Sequence, residues 1–158
     1  MRKVLIIILA GVILGSLWLT ALFKTTTQKA ETITTTVAAP SVAAIFYYAP
    51  PCGCCETYLP KLKSITNVEI KIVNSEELFR LKQELGIPKE LWSCHTIIID
   101  KYFVEGHVPI SAVKNLIEGK MGDVRGLALP HRETDTVSWE GPGYYMVELG
   151  GKWRRVGG

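Results

Sequence analysis

Three of the four cysteines stand together in Pro51-Cys52-Gly53-Cys54-Cys55, and the fourth lies in Ser93-Cys94-His95-Thr96. Thiolates are the soft metal ligands and the redox groups of proteins, so a cysteine supply confined to two short stretches points to metal or electron chemistry. Cys52 and Cys55 form a C-x-x-C pair, the spacing of redox dithiols. Cys54, between them, is a group that a simple dithiol oxidoreductase does not require. His95 adjoins Cys94 and is a candidate ligand at a cluster edge. His107, in Glu105-Gly106-His107-Val108-Pro109, precedes a predicted helix and is a candidate ligand, supporting partner or cap. His131 reads as a surface residue, and Met121 and Met146 read as core fillers. Phe46, Tyr47, Tyr48 and Trp92 flank the cysteine stretches and read as walls that keep water from the sulfurs.

The surrounding pattern says which elements position these groups. Ala44 to Ala49 is β-branched and aromatic and is stopped by Pro50-Pro51, so it reads as a buried strand. From Cys54, the apolar Tyr58, Leu59, Leu62 and Ile65 recur at helical spacing, with Pro60 predicting a kink. The cysteines therefore fall at a helix N-terminus, whose free N–H groups and dipole favour thiolate over thiol. Val68 to Val73 alternates as a strand. Ser75 is expected to cap a helix with Leu78, Leu81 and Leu85 on one face and Gly86 closing it. Ile97-Ile98-Ile99 and Tyr102-Phe103-Val104 read as strands around a tight Asp100-Lys101 turn. Val113, Leu116 and Ile117 line a short helix ending at Gly119.

Strands and helices in this alternation argue for an α/β fold with a central sheet flanked by helices. The order strand, helix, strand, helix, strand, strand, helix resembles a thioredoxin-like domain, whose dithiol follows the first core strand. In such a fold the loop before the third strand lies against the dithiol and usually bears a cis-proline. Ser93-Cys94-His95-Thr96 takes that place here, so Cys94 is expected to face the other three sulfurs. Residues 120–143 read as a loop, and Tyr144 to Leu149 with Lys152 to Val156 as a hairpin turning at Gly150-Gly151 in a type I′ turn.

Four converging thiolates suit Cu(I), zinc(II) or an iron–sulfur cluster. Adjacent Cys54 and Cys55 diverge, which is awkward for one tetrahedral zinc but tolerable in a multinuclear Cu(I)–thiolate cluster with bridging sulfurs. A disulfide or redox role and a zinc-stabilised interaction module stay open on this chemistry.

Val4 to Phe23 follows Arg2 and Lys3 without a charge or a proline, and its length matches the roughly 20 residues that span about 30 Å of hydrocarbon. Residues 1–24 are therefore expected to be a single-pass membrane anchor or a signal segment, residues 25–43 a flexible tether, and residues 44–158 the metal-binding domain. The basic residues before the span place that domain on the periplasmic or exterior side, secreted if the segment is cleaved. The net charge of +3 comes from the leader, since residues from 44 onward carry 14 basic and 14 acidic side chains. A neutral domain without a basic stripe gives no footing for nucleic acid.

Together Cys52-Gly53-Cys54-Cys55, Gly86-Ile87-Pro88, Ser93-Cys94-His95-Thr96 and Glu105-Gly106-His107-Val108-Pro109 resemble the exported, thioredoxin-like metal-binding proteins of the CopG type, associated with copper resistance. The resemblance spans residues 44–130. It implies a site in which Cys52, Cys54, Cys55 and Cys94 hold Cu(I), as a multinuclear cluster, for sequestration, relay or redox conversion. Copper ions, and copper donor or acceptor proteins, are the implied partners. Members of the family carry a methionine-containing loop after a G-L-A-V-P-like run. Here Gly126-Leu127-Ala128-Leu129-Pro130 is followed by His131-Arg132-Glu133, so methionine-assisted copper binding is not expected in that loop.

Overall fold

A computed structural model of the chain describes residues 42–157. The expected anchor, Val4 to Phe23, lies outside the described residues, as does the tether up to residue 41. Among the described residues no helix is long and apolar enough to cross a membrane.

The elements run β1 (Ala43–Tyr48), α1 (Gly53–Lys63), β2 (Asn67–Ile72), α2 (Ser75–Glu84), β3 (His95–Ile99), β4 (Tyr102–Gly106), α3 (Ile110–Ile117), β5 (Val124–Leu129), β6 (Gly143–Glu148) and β7 (Trp153–Gly157). They form a mixed α/β domain around one seven-stranded sheet, ordered β2-β1-β3-β4-β5-β6-β7. β1 runs parallel to β2 and β4 parallel to β5, while the remaining neighbours are antiparallel.

Side chains alternate across this sheet because successive residues of a strand point to opposite faces. On one face Phe46, Ile97, Ile99, Val104, Leu127 and Leu129 are buried with Tyr58 and Leu62 of α1 and Val113 and Leu116 of α3. On the other, Phe103, Ala128 and Val147 pack with Ile87 and Leu91. Burying each large apolar side chain contributes about 1.5–3 kcal/mol, so these two layers hold the strands that carry the site.

Element order up to α3 agrees with the sequence pattern. Three local readings differ. Asn74, not Ser75, caps α2: its side chain accepts from the Glu77 N–H at 2.9 Å while the Glu77 carboxylate accepts from the Asn74 N–H at 3.0 Å, a reciprocal box closed one residue earlier. Within the expected loop 120–143, Val124–Leu129 forms β5. Gly126 makes that pairing possible, since a Cβ there would lie 2.3 Å from the Phe103 carbonyl oxygen on β4. The β6–β7 hairpin forms, but only Gly151 of the glycine pair has positive φ, so its turn is not type I′, which requires both.

Candidate metal centre

Strand direction gathers the chemistry at one end of the sheet. β1 ends at Tyr48, paired with His95 at the start of β3. Thr96 pairs with Glu105, so β4 ends beside that same start, and Gly106 pairs with Leu129 where β5 ends. The cysteine turn after β1, the Ser93-Cys94 approach to β3, His107 after β4 and His131 after β5 consequently meet. Gly106 makes the meeting close: its φ is +70°, and a Cβ there would come 2.3 Å from the Leu129 carbonyl and 2.5 Å from Ser93 Cβ.

The four sulfurs lie within 4.8 Å of one another. Cys52 and Cys55 are joined as a disulfide across the first turn of α1. Cys54 and Cys94 are free thiols, half-buried, with sulfurs 3.4 Å apart, and Cys54 Sγ is 3.5 Å from Cys52 Sγ. Burial and then the Cys54 sulfur push the Cys94 thiol up to about 12.

Both predicted histidines reach the sulfurs. His95 is fully buried, stacked on Phe46, with Nδ1 at 3.5 Å from the sulfurs of both Cys55 and Cys94. Its Nε2 is buried without a hydrogen-bond partner. Burial, then the nearby His107 ring, holds this imidazole well below its ordinary range, so it is neutral. His107 Nδ1 lies 3.0 Å from the Trp139 carbonyl oxygen, and Nε2 lies 3.1 Å from Cys94 Sγ. A carbonyl can only accept, so Nδ1 carries the proton and the Nε2 lone pair faces the sulfurs. Burial lowers His107 to about 4, keeping it in this ligand-competent form at neutral pH.

Two more residues belong here: His131, which the sequence pattern reads as a surface residue, and Trp139. His131 is exposed, yet one of its ring nitrogens falls within 4.8 Å of donor atoms of Cys54, Cys94 and His107. Trp139, in the left-handed region at φ +54°, supplies the carbonyl that orients His107. Its loop is tied to α1 by Lys61, which donates to the Ser138 carbonyl and pairs with Glu140 at 2.9 Å. The signal for His131 was its position two residues beyond the end of β5, informative only once the β4–β5 register is known.

Behind the site, on the sheet face opposite His95, sits a buried polar group. Lys82 Nζ donates to Glu105 Oε1 at 2.5 Å and to Thr96 Oγ1 at 2.8 Å, and Thr96 donates to Glu105 Oε2 at 2.7 Å. Glu105 Oε1 also accepts the Ser93 N–H at 2.5 Å, fixing the residue before Cys94. Burial pushes the Glu105 carboxyl up, and Lys82 with these hydrogen bonds opposes the shift.

Thiol and imidazole donors gathered at one end of a mixed sheet define a cysteine-cluster metal-binding protein of the α/β class. Residues 91–136 match the family described as "Protein of unknown function, DUF411". Two solved structures are similar over most of their length. "Copper resistance protein copG- Form 2" is 26% identical with a TM-score of 0.61, over 72% of this chain and 94% of that one. "Copper resistance protein copG- Form 1" is 25% identical with a TM-score of 0.60, over 75% and 99%. By these likenesses the chain is similar to copper resistance proteins of the CopG type. No curated protein matches.

Proposed function

We propose that this chain is a membrane-tethered, extracytoplasmic protein that holds Cu(I) through the thiolates of Cys52, Cys54, Cys55 and Cys94, and that it sequesters, relays or redox-converts copper for tolerance. The observation that carries this reading is the gathering of all four sulfurs within 4.8 Å. Thiolate sulfurs can each bridge two Cu(I) ions, so a cluster of this compactness accommodates more than one metal. The likeness to copper resistance protein copG favours copper over other soft metals. The frame is read as thioredoxin-like, on the support of the strand and helix order and of the dithiol at the start of α1. The reading of a tethered domain outside the cytoplasm is supported by the apolar span Val4 to Phe23 behind Arg2 and Lys3.

Four-thiolate binding needs the Cys52–Cys55 bond opened first. A dithiol reductant supplies two electrons and two protons, giving two thiols and its own disulfide, and each thiol then yields its proton to bind Cu(I). His95 and His107 stand within reach of the same sulfurs as further ligands or as partners that orient them. Reduced protein reconstituted anaerobically with Cu(I) is expected to hold more than one copper, and Cys94→Ser fewer. Loss of all copper to a moderate chelator would refute the proposal.

The Cys52–Cys55 disulfide favours one competing reading, a thiol–disulfide oxidoreductase. That reading predicts catalysed disulfide reduction that survives Cys54→Ser, without retained metal.

A further inference from the structure

With Cys52 and Cys55 locked in their disulfide, the chain still presents four donors to a single point. Cys54, Cys94, His107 and His131 each offer one ligand atom, and these atoms lie within 4.8 Å of one another. We infer that in this oxidised state the four residues hold one borderline divalent cation of the zinc(II) type. The inference rests on the reading of the site as metal-binding but uses a different ligand set, and so a different metal.

Donor chemistry decides the class of ion. Two thiolates with two imidazoles are a standard tetrahedral zinc(II) set, with bonds of about 2.3 Å to sulfur and about 2.0–2.1 Å to nitrogen. Those bond lengths imply tetrahedron edges of roughly 3.3–3.8 Å. The Cys54–Cys94 sulfurs at 3.4 Å and the Cys94 Sγ–His107 Nε2 pair at 3.1 Å already stand close to such edges. Cys54 and Cys94 come from separate elements, so the crowding that adjacent Cys54 and Cys55 would impose does not arise. Binding takes one M²⁺ and releases the two thiol protons.

Independent features aim the imidazoles. The Trp139 carbonyl accepts the hydrogen bond from His107 Nδ1–H, as an outer partner does for a metal-bound histidine, and leaves Nε2 for the ion. His131 is set by its own N–H, donated to Ser93 Oγ at 3.1 Å, and its ring packs 5.3 Å from those of both His107 and Trp139. His131 is exposed and Cys54 and Cys94 are half-buried, so an ion has a path in. Because Cys54 and Cys94 belong to both ligand sets, the redox state of Cys52–Cys55 selects which metal the site takes.

The test is a titration of the full chain with Co(II), anaerobically and without reductant, after confirming two free thiols per molecule. A near-ultraviolet thiolate-to-cobalt band with intense tetrahedral visible bands, saturating at one Co(II) and abolished by zinc(II), is expected. His131→Ala and His131→Asn should each weaken Co(II) binding at least tenfold. Absence of the thiolate band, or an affinity indifferent to both His131 substitutions, overturns the inference. If the oxidised chain binds Co(II) as described but the reduced chain fails to hold Cu(I), this inference stands and the copper proposal falls.

Discussion

Lys82 of α2 and Glu105 of β4 form an ion pair at 2.5 Å with both side chains wholly buried. The same carboxylate oxygen accepts the Ser93 N–H, so a charge pair on one face of the sheet sets the backbone that delivers Cys94 on the other. Taking one partner from a buried pair strands the other charge, at about 3–5 kcal/mol, whereas replacing both with apolar groups costs far less. Lys82→Met and Glu105→Leu are each expected to lower the urea midpoint severely, and the double substitution to recover most of the loss. Equal or additive losses in equilibrium unfolding would contradict the coupling.

Gly106 is the hinge of the same assembly. At φ +70°, with Leu129 O and the Ser93 side chain inside contact distance of any Cβ, it cannot be replaced without moving β5 or the Cys94 loop. Gly106→Ala should destabilise the protein by about 1–3 kcal/mol or more and speed amide exchange at His107, whose N–H is bonded to Leu129 O at 3.1 Å. Wild-type exchange at that amide in the variant would show the close approach to be dispensable.

Stability of the metal-free protein should fall on mild acidification. His107 titrates at about 4 when folded against an ordinary 6.5, and His95 is lowered as well, so between these values the unfolded chain binds more protons. Their stabilising contribution is fully present above about pH 6.5 and is lost as pH falls towards 4. Glu105, raised by burial, acts in the opposite sense, so the contribution of His107 is read as a difference. The urea midpoint of wild type should drop more between pH 6.5 and 5 than that of His107→Gln; parallel curves would remove His107 from the account.

Cys94, held up to about 12, is a thiol rather than a thiolate at neutral pH. In the metal-free native state it should resist iodoacetamide at pH 8 and react fully once unfolded, as peptide mass spectrometry would show. Fast native alkylation at Cys94 would mean that its sulfur is not buried as described.

What the sequence makes legible is what local pattern encodes. Ala44 to Ala49, the apolar spacing from Cys54 to Ile65 and the Asp100-Lys101 turn place β1, α1 and the β3–β4 pair, and from them the approach of Cys94 to the cysteine turn. What escaped depends on long-range register. β5 is interrupted by Gly126, which reads as a loop signal until Phe103 is known to fill the space where a side chain would go. Without β5, nothing brings His131 beside His107. The Lys82–Glu105 pair escapes as well, because its two residues lie 23 positions apart on different elements.

The most direct test of the central claim is X-ray absorption at the copper edge of reduced, Cu(I)-loaded protein. A first shell dominated by sulfur with a copper–copper vector is expected, with loss of that vector in Cys94→Ser. A shell of nitrogen and oxygen, or a single copper indifferent to Cys94, would contradict it.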